Sequence, residues 1–432
     1  MRPFTASERL RCLGEYSWRA APFLARLRWP HTRIHHYQTK RLRSLLDRVE
    51  IISPFYREKF RSAGIRIADI RCPEDLRFLP VTTKEELRAA AVDGTWSTAI
   101  PSANGFYSQS SGTTGAALRI VCDLKAMLEY GLATYRCYAM LFPYYPWRRM
   151  LYVYTSPFPA RSFCGLYPMI FVPTLAPIDE LIAAIRSHRP HLLVLYPSCL
   201  RALAGALSSE DARDLGIQII SVNSEQSTGE ERAMWARHFN ARVFDEYSSE
   251  ELGRIASHCT SHTYHIFEDL NIIEVVDEHG REASRGELIG TNLINMTTPF
   301  IRYRQGDYVA REPDECPCGS TMPALRVLEG RINDDFIMPD GRQLTSGYLL
   351  DATYHLLLSF PEAIDIFQLT QIGHATAEFK FVPGPCCHSG MLERIRVELT
   401  ALLDPFSLSV CTVGSFSGAG EKHRPIRRLY QP

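Results

Sequence analysis

Hydrophobic and polar positions fall into three regimes along the chain. From residue 6 to about 70, apolar residues recur three or four apart among Lys and Arg, as in "YQTKRLRSLLDRVEIISPFYREKFRSAG". That spacing predicts amphipathic helices with a solvated basic face. "VTTKEELRAA" sets Thr83 and Glu86 at capping-box spacing, so a helix is predicted to start near Lys84. From about 105 to 300, short apolar runs alternate with helical stretches. "RMLYVYTS", "HLLVLYPS", "IQIISVNS" and "ARVFDEYS" read as strands, and "IDELIAAIRSHR" and "SCLRALAGALSS" as helices between them. This is the pattern of parallel strands in an α/β sheet, whose carboxyl ends usually bind ligands. "GELIGTNLINM" and "FIRYRQGDYVA", within 285–312, alternate as strands do. From "GRINDDFIMPDGRQLT" onward the pattern is that of a separate small α+β unit, with "PDG" as a hairpin turn. The prediction is an α/β protein. Residues 1–330 form a large domain with parallel-strand sheets, helical over about 1–100, and residues 331–432 form a small α+β domain.

Composition narrows the picture by exclusion. The 432 residues are 45% hydrophobic and carry zero formal net charge, so a broad basic field for nucleic acid is absent. No apolar run reaches the roughly 18 residues of a membrane span, and the opening "MRPFTASERLRCLGEYSWRAA" lacks a signal peptide's apolar region. The 12 cysteines are scattered, which suits a reduced, cytoplasmic protein.

Several stretches carry candidate chemistry. "SSGTTG", Ser110–Gly115, packs hydroxyls and glycines into one loop before a strand. Successive backbone N–H groups and hydroxyls there make an anion-binding concavity, although the same letters also make an ordinary turn. No Lys-Ser/Thr pair follows, so it is not a Walker A loop. In "FDEYSSEELGRIASHC", Tyr247 could stack on a base, and the acidic pair Glu250 and Glu251 could hold magnesium. The competing reading is a helix start capped by Ser248 or Ser249. In "PFIRYRQGDYVA", Asp307 follows Gly306 in what reads as a tight turn after a strand; it could accept bonds from two sugar hydroxyls or simply serve the turn. "GRINDDFI" places Arg331, Asn333, Asp334 and Asp335 where a hinge would lie. "SHCTSHTYH" and "CPCG" offer Cys259, His265, Cys316 and Cys318 as a tetrahedral zinc set, with His262 as an alternative ligand and buried reduced thiols as the alternative state. "PGPCCHSG", with Cys386, Cys387 and His388, reads as a surface loop.

The order and spacing of these stretches resemble the adenylate-forming (acyl/aryl-CoA synthetase) superfamily. The similarity is greatest to its phenylacetate–CoA ligase branch and the relatives associated with capsule biosynthesis. It runs over nearly the whole chain, from "SPFYREKF" and "PEDLRFLPVTTKEEL" through "LYPSCLRALA" to "N…PFIRYRQGD". The resemblance implies an adenylate-forming fold, with a mobile C-terminal cap closing on the large domain. It assigns Ser110, Ser111, Gly112, Thr113, Thr114 and Gly115 to the ATP phosphates and lays the Tyr-Gly-x-Thr-Glu motif on Tyr247 to Glu251. Tyr247 and Ser248 then contact AMP, Glu251 is the magnesium-linked carboxylate, and Asp307 and Arg331 hold the ribose. Asp334 and Asp335 form the hinge, and Lys422, in "SGAGEKHRPIRRL", is the catalytic lysine. A similar cysteine–histidine cluster in some members supports the zinc set. The chain departs from the pattern at Ala116, at Ser248 and at Glu250, where a Thr or Ser usually meets the phosphate.

The implied activity is AMP-forming ligation. A hydrophobic, expectedly aromatic carboxylic acid is activated as an acyl-adenylate and passed to an acceptor, foremost CoA. ATP and magnesium are the implied cofactors, with structural zinc and CoA beside them. The partners are the small acid and its acceptor, not nucleic acid; a homodimer stays open. "FIMPDGRQLT" departs from the glycine-rich segment of phenylacetate–CoA ligases, which leaves an amine or hydroxyl acceptor as the alternative. Glu250 and Ala116 leave a second one, a non-catalytic homologue that binds nucleotide or acid. The "YVYTSPFPARSFCGLYPMIF" segment supplies aromatic residues for an acid pocket.

Overall fold

The computed structural model of the protein describes residues 2–99, 105–109, 118–154, 156–174, 176–225, 227–312, 316–329, 335–341, 343–344, 346–357, 359–360, 363–414, 416 and 425–430. The phosphate loop Ser110–Gly115, Ala116, Arg331, Asn333, Asp334 and Lys422 lie outside the described residues.

The chain opens with three helices, α1 (Ala6–Ala25), α2 (His31–Ile52) and α3 (Pro54–Ser62). α2 buries Ile34, Leu42, Leu45, Leu46, Val49 and Ile52, the stripe that its three-and-four spacing predicts. Helix α4 (Lys84–Val92) starts where the capping box placed it: Thr83 Oγ1 accepts from Glu86 N–H at 3.2 Å, and Glu86 returns a bond to Thr83 N–H at 2.8 Å. Such a cap stabilises a helix by about 1 kcal/mol. A two-stranded antiparallel ribbon follows, β1 (Phe106–Gln109) with β2 (Arg119–Cys122), then α5 (Leu124–Ala139).

The parallel half comes next: β3 (Met150–Tyr154), β4 (Met169–Pro173), α6 (Ile178–His188), β5 (Leu192–Leu195), α7 (Pro197–Ala206), α8 (Ser209–Asp214), β6 (Ile219–Asn223), α9 (Gly229–Phe239) and β7 (Arg242–Ser249). The four strands read from sequence are β3, β5, β6 and β7; β4 adds a parallel edge. β5 is buried at every position, as a strand covered on both faces must be. Its outer cover is α6 to α9, whose Leu181, Ile185, Leu200, Leu203, Trp235 and Phe239 pack on one sheet face.

The sheet then continues antiparallel through β8 (Gly253–His258), β9 (Tyr264–Ile266), β10 (Asn271–Val276), β11 (Arg285–Asn292), β12 (Tyr303–Glu312) and β13 (Ala324–Glu329). The eleven strands lie in the order β10-β11-β12-β13-β9-β8-β7-β6-β5-β3-β4. Two sequence expectations change here. Glu250 and Glu251 do not open a helix; they sit in the β7–β8 hairpin turn, where Ser249 Oγ accepts from Leu252 N–H at 3.1 Å. Gly253 closes that turn with φ +68, and a Cβ there would meet Tyr130 at 2.6 Å. Asp307 is not in a turn after a strand. It lies inside β12, where Gly306 takes φ +87 and the pairing with β11 slips between Glu287 and Ile289. Gly306 therefore marks a bulge, which re-aims the side chain after it.

Beyond Glu329 a separate smaller α/β region begins. The hairpin β14 (Phe336–Ile337) with β15 (Gln343–Leu344) brackets "PDG", and α10 (Ser346–Leu357) follows. β16 (Ile364–Gly373), β17 (Thr376–Pro383), α11 (Ser389–Leu402), β18 (Ser407–Thr412) and β19 (Ile426–Arg428) complete it, the strands in the order β18-β17-β16-β19. Its core is its own, built on Phe336, Leu349, Phe367, Phe379, Ile395 and Leu399. Among the described residues, no helix is long and apolar enough to cross a membrane.

Candidate active site

The carboxyl ends of the parallel strands open on one cleft, as the sheet topology requires. β7 carries Ser248 and Ser249 there, and Tyr247 just before them faces Asp307 in the bulge of β12. The Tyr247 hydroxyl donates to Asp307 Oδ2 at 2.6 Å, a short charge-assisted bond. Ser249 Oγ donates to Gln305 Oε1 at 3.2 Å, a second tie between the same two strands. Asp307 is 7% exposed, so its carboxylate is held largely within the wall. Asn223, the last residue of β6, stands on the neighbouring strand end, its Oδ1 accepting from Ser224 Oγ at 2.8 Å.

Glu251 faces inward on the other side of the hairpin turn and is 2% exposed. Its Oε1 accepts from the Tyr303 hydroxyl at 3.1 Å and lies 3.3 Å from Lys84 Nζ. Sequence reading took Lys84 only as a helix start; its spacing carried no sign of a partner in a distant hairpin. Magnesium usually takes one or two carboxylates together with substrate phosphates and water. Glu251 offers one such carboxylate, already paired with Lys84, so a magnesium ion would share or displace that contact.

Glu250 points the other way, into a cavity of about 850 Å³. Burial pushes its carboxyl up to about 6, Glu251 adds to the rise, and the Ser108 hydroxyl opposes it. The cavity lies between α1, α5, β3 and the loop after β3. Tyr16 and Ala20 come from α1, Tyr130, Thr134 and Tyr138 from α5, and Tyr152 and Tyr154 from β3. Phe158, Phe163 and Tyr167, from the aromatic segment noted in the sequence, close the remaining side. Tyr152 and Tyr154 stack with centroids 5.0 Å apart, and Tyr154 meets Tyr196 edge-on at 5.0 Å. Arg254 lines the inner end and pairs with Glu246, which also accepts from the Ser221 hydroxyl. Burial drives the Tyr152 phenol well above its ordinary range. The residues missed from sequence, Tyr16, Tyr130, Tyr138, Asn223 and Arg254, come from four separate segments, and only the fold brings them together.

A second cluster lies behind the sheet. Cys259 follows β8, His265 lies on β9, and Cys316 and Cys318 sit in the loop before β13. Their ligand atoms all fall within 4.8 Å of one another. Cys259 Sγ is 3.6 Å from Cys316 Sγ, and Cys318 Sγ is 3.3 Å from His265 Nε2. A tetrahedral zinc ion with its usual bond lengths needs donors about 3.5–3.8 Å apart. His265 Nδ1 donates to Met322 O at 2.7 Å, which turns Nε2 toward the thiols, and Ser261 and Ser320 N–H groups bond to Cys259 and Cys318 sulfur. The donors therefore fit the ion. His262 is not part of the set; it stacks on Phe244 with centroids 5.0 Å apart. His388 caps α11 by accepting from Met391 N–H at 3.2 Å, and Cys386 is exposed beside it, as a surface loop predicts.

Of the hinge residues, Asp335 is described: its Oδ1 accepts from Ser346 N–H at 2.8 Å, tying the segment before β14 to the start of α10. Asn295, the first residue of the "N…PFIRYR" match, is structural. Its side chain bonds Val121 O, Thr298 Oγ1 and the Thr297 and Thr298 N–H groups.

Comparisons with known proteins converge on one group. No family model matches the chain. The phenylacetate–coenzyme A ligase of Thermus thermophilus is 26% identical over 360 residues, covering 79% of this chain and 78% of that protein. The enzymes of the same name from Pseudomonas putida and Escherichia coli are each 26% identical, over 71% and 70% of this chain and 72% of each relative. Among solved structures, 2-hydroxyisobutyryl-CoA ligase bound to its acyl-adenylate and CoA superposes with a TM-score of 0.66 at 19% identity, covering 94% of this chain and 92% of that one. Together with the ordered motifs, these relatives support the adenylate-forming superfamily of AMP-forming ligases and its phenylacetate–CoA ligase branch for this chain.

Proposed function

We propose that this protein activates a hydrophobic carboxylic acid with ATP and transfers the acyl group to CoA. The observation that carries the reading is the Tyr247–Asp307 pair at the strand ends, with a large aromatic cavity directly beside it. Asp307 accepts from the two ribose hydroxyls while Tyr247 orients its carboxylate and offers a ring to the base. Asn223 borders the same pocket. The acid lies in the cavity with its carboxylate directed toward the Asn223 and Ser248 end, and attacks the α-phosphate in line as pyrophosphate leaves. Such a step depends on positioning and on charge neutralisation. Glu251 would hold magnesium, which supplies positive charge to the leaving pyrophosphate. Lys84 supports that carboxylate from behind.

The roles that the family resemblance gives to Ser110–Gly115, Arg331, the Asp334–Asp335 hinge and Lys422 complete the proposal, with residues 331–432 as the mobile cap. Relatives that carry CoA support CoA as the acceptor. The cysteine–histidine cluster would hold one structural zinc, bracing the β8–β9 hairpin against the β13 approach. Acid-dependent exchange of labelled pyrophosphate into ATP tests the adenylation step. Its absence with every acid of a broad aryl and aliphatic panel, in protein that binds no ATP at millimolar levels, would overturn the reading.

A further inference from the structure

The cavity is far larger than one aromatic ring needs. A cavity of roughly 150 Å³ already accepts benzene. This one encloses about 850 Å³. The nucleotide end accounts for few of its walls: Asn223, Ser248, Ser249 and Glu250 border it, and most of the lining comes from α1, α5, β3 and the loops on either side of β3, with β1, β2, β4 and β8 adding the remainder. α1 lies directly on α5, and Gly131 makes that approach possible, since a Cβ there would fall 1.8 Å from the Tyr16 hydroxyl. The space is therefore a built chamber, roofed by a helix that no other feature of the site requires.

Its chemistry is also unlike that of a plain hydrocarbon pocket. Nine phenols line it, among them Tyr16 from α1, Tyr138 from α5, Tyr152 from β3 and Tyr167 from the loop after β3. Among the described residues, the buried Tyr16 hydroxyl has no hydrogen-bond partner. Glu250 adds a carboxylate, which can accept bonds from a ligand and gives none when ionised. Arg254 cannot neutralise it freely, being paired with Glu246. An unsubstituted hydrocarbon would leave these groups facing apolar surface, which binding sites of this kind strongly disfavour.

We infer that the acid bound here is an extended one, of two or more rings, and carries hydroxyl or amine donors that bond Glu250 and the tyrosine phenols. The inference rests on the proposed adenylation of an acid at this site and deepens it by naming the substrate class. Ring faces would lie against the stacked Tyr152–Tyr154 pair, and donors along the edge would reach Glu250.

Equilibrium dialysis of acids without ATP reads the cavity alone. The probes are phenylacetate, naphthylacetate and naphthylacetates hydroxylated at each ring position. At least one hydroxylated two-ring acid is expected to bind about tenfold or more tighter than both phenylacetate and unsubstituted naphthylacetate. Glu250→Leu should abolish the preference for the hydroxylated acid. Thr134→Phe on α5, and independently Ala20→Phe on α1, should weaken two-ring acids about tenfold and weaken phenylacetate much less. Phenylacetate binding as tightly as every two-ring acid, or hydroxylated and bare acids binding alike, would overturn the inference. Pyrophosphate exchange on the same panel separates the two claims. A two-ring acid that binds as expected but supports no exchange contradicts adenylation and leaves the substrate class standing.

Discussion

Removing the Asp307 carboxylate separates a nucleotide-binding role from a structural one. Asp307 is nearly buried and accepts from the Tyr247 hydroxyl at 2.6 Å. If it also accepts both ribose hydroxyls, Asp307→Ala removes two hydrogen bonds to a charged group. Each is worth about 1.5–3 kcal/mol, so ATP binding should weaken by roughly 3–6 kcal/mol, or about 10²–10⁴-fold. Tyr247→Phe keeps the carboxylate and the ring and removes the orienting bond, with an expected loss near 1–1.5 kcal/mol, about tenfold. Because the two residues act as a unit, the double variant should lose less than the sum of the two. Titration calorimetry with a non-hydrolysable ATP analogue reads the affinities, and thermal unfolding of the free proteins controls for stability. The reasoning fails if Asp307→Ala binds the analogue within threefold of the parent, or if the two losses add in full.

Three further outcomes follow from the same geometry. Purified protein should hold about one equivalent of zinc, and chelation or Cys318→Ser should lower its thermal midpoint without changing the affinity for ATP; full stability in chelator with no zinc by elemental analysis contradicts the site. Burial raises the Glu250 carboxyl to about 6, so this group favours the folded state below about pH 4.5 relative to above 6. Stability should fall slightly as pH rises through that window, nucleotide binding should tighten as pH falls through about 6 when the carboxyl takes up a proton, and Glu250→Gln should flatten both profiles; an unchanged pH profile in that variant refutes the assignment. Lys422→Ala should slow pyrophosphate release about 10²–10³-fold and leave acyl transfer from supplied acyl-adenylate nearly intact, with Arg427→Ala doing neither, while parallel loss of both half-reactions makes the lysine structural.

Much of the fold was legible because burial on both faces writes itself into sequence as continuous apolar runs. β5 and β6 are cases, and helix α4 announced its start through Thr83 and Glu86. The cysteine–histidine grouping was legible for a different reason: thiols and imidazole at short spacing suggest a shared ligand set, and the fold brings the donor atoms of Cys259, His265, Cys316 and Cys318 within 4.8 Å of one another. Asp307 was misplaced because glycine before aspartate is the usual mark of a turn. Here positive φ served a bulge inside a strand, a distinction set by the partner strand and invisible to local sequence. The acidic pair misled for a similar reason: Ser-Ser-Glu-Glu suits a helix start, yet the antiparallel partner β8 captures the segment as a hairpin. The Lys84–Glu251 pair and the chamber roofed by α1 join residues far apart in the chain, and no periodicity carries that information.

The central claim is that the chain breaks ATP at the α-phosphate on behalf of an acid. The direct measurement is the nucleotide product, resolved by ion-exchange chromatography after incubation with ATP, magnesium, CoA and an acid that the cavity binds. The account predicts AMP and pyrophosphate in equal amounts, dependent on the acid, with the matching acyl-CoA, and no such products from Asp307→Ala. ADP and phosphate as the products, or AMP formed at the same rate without any acid, would contradict it.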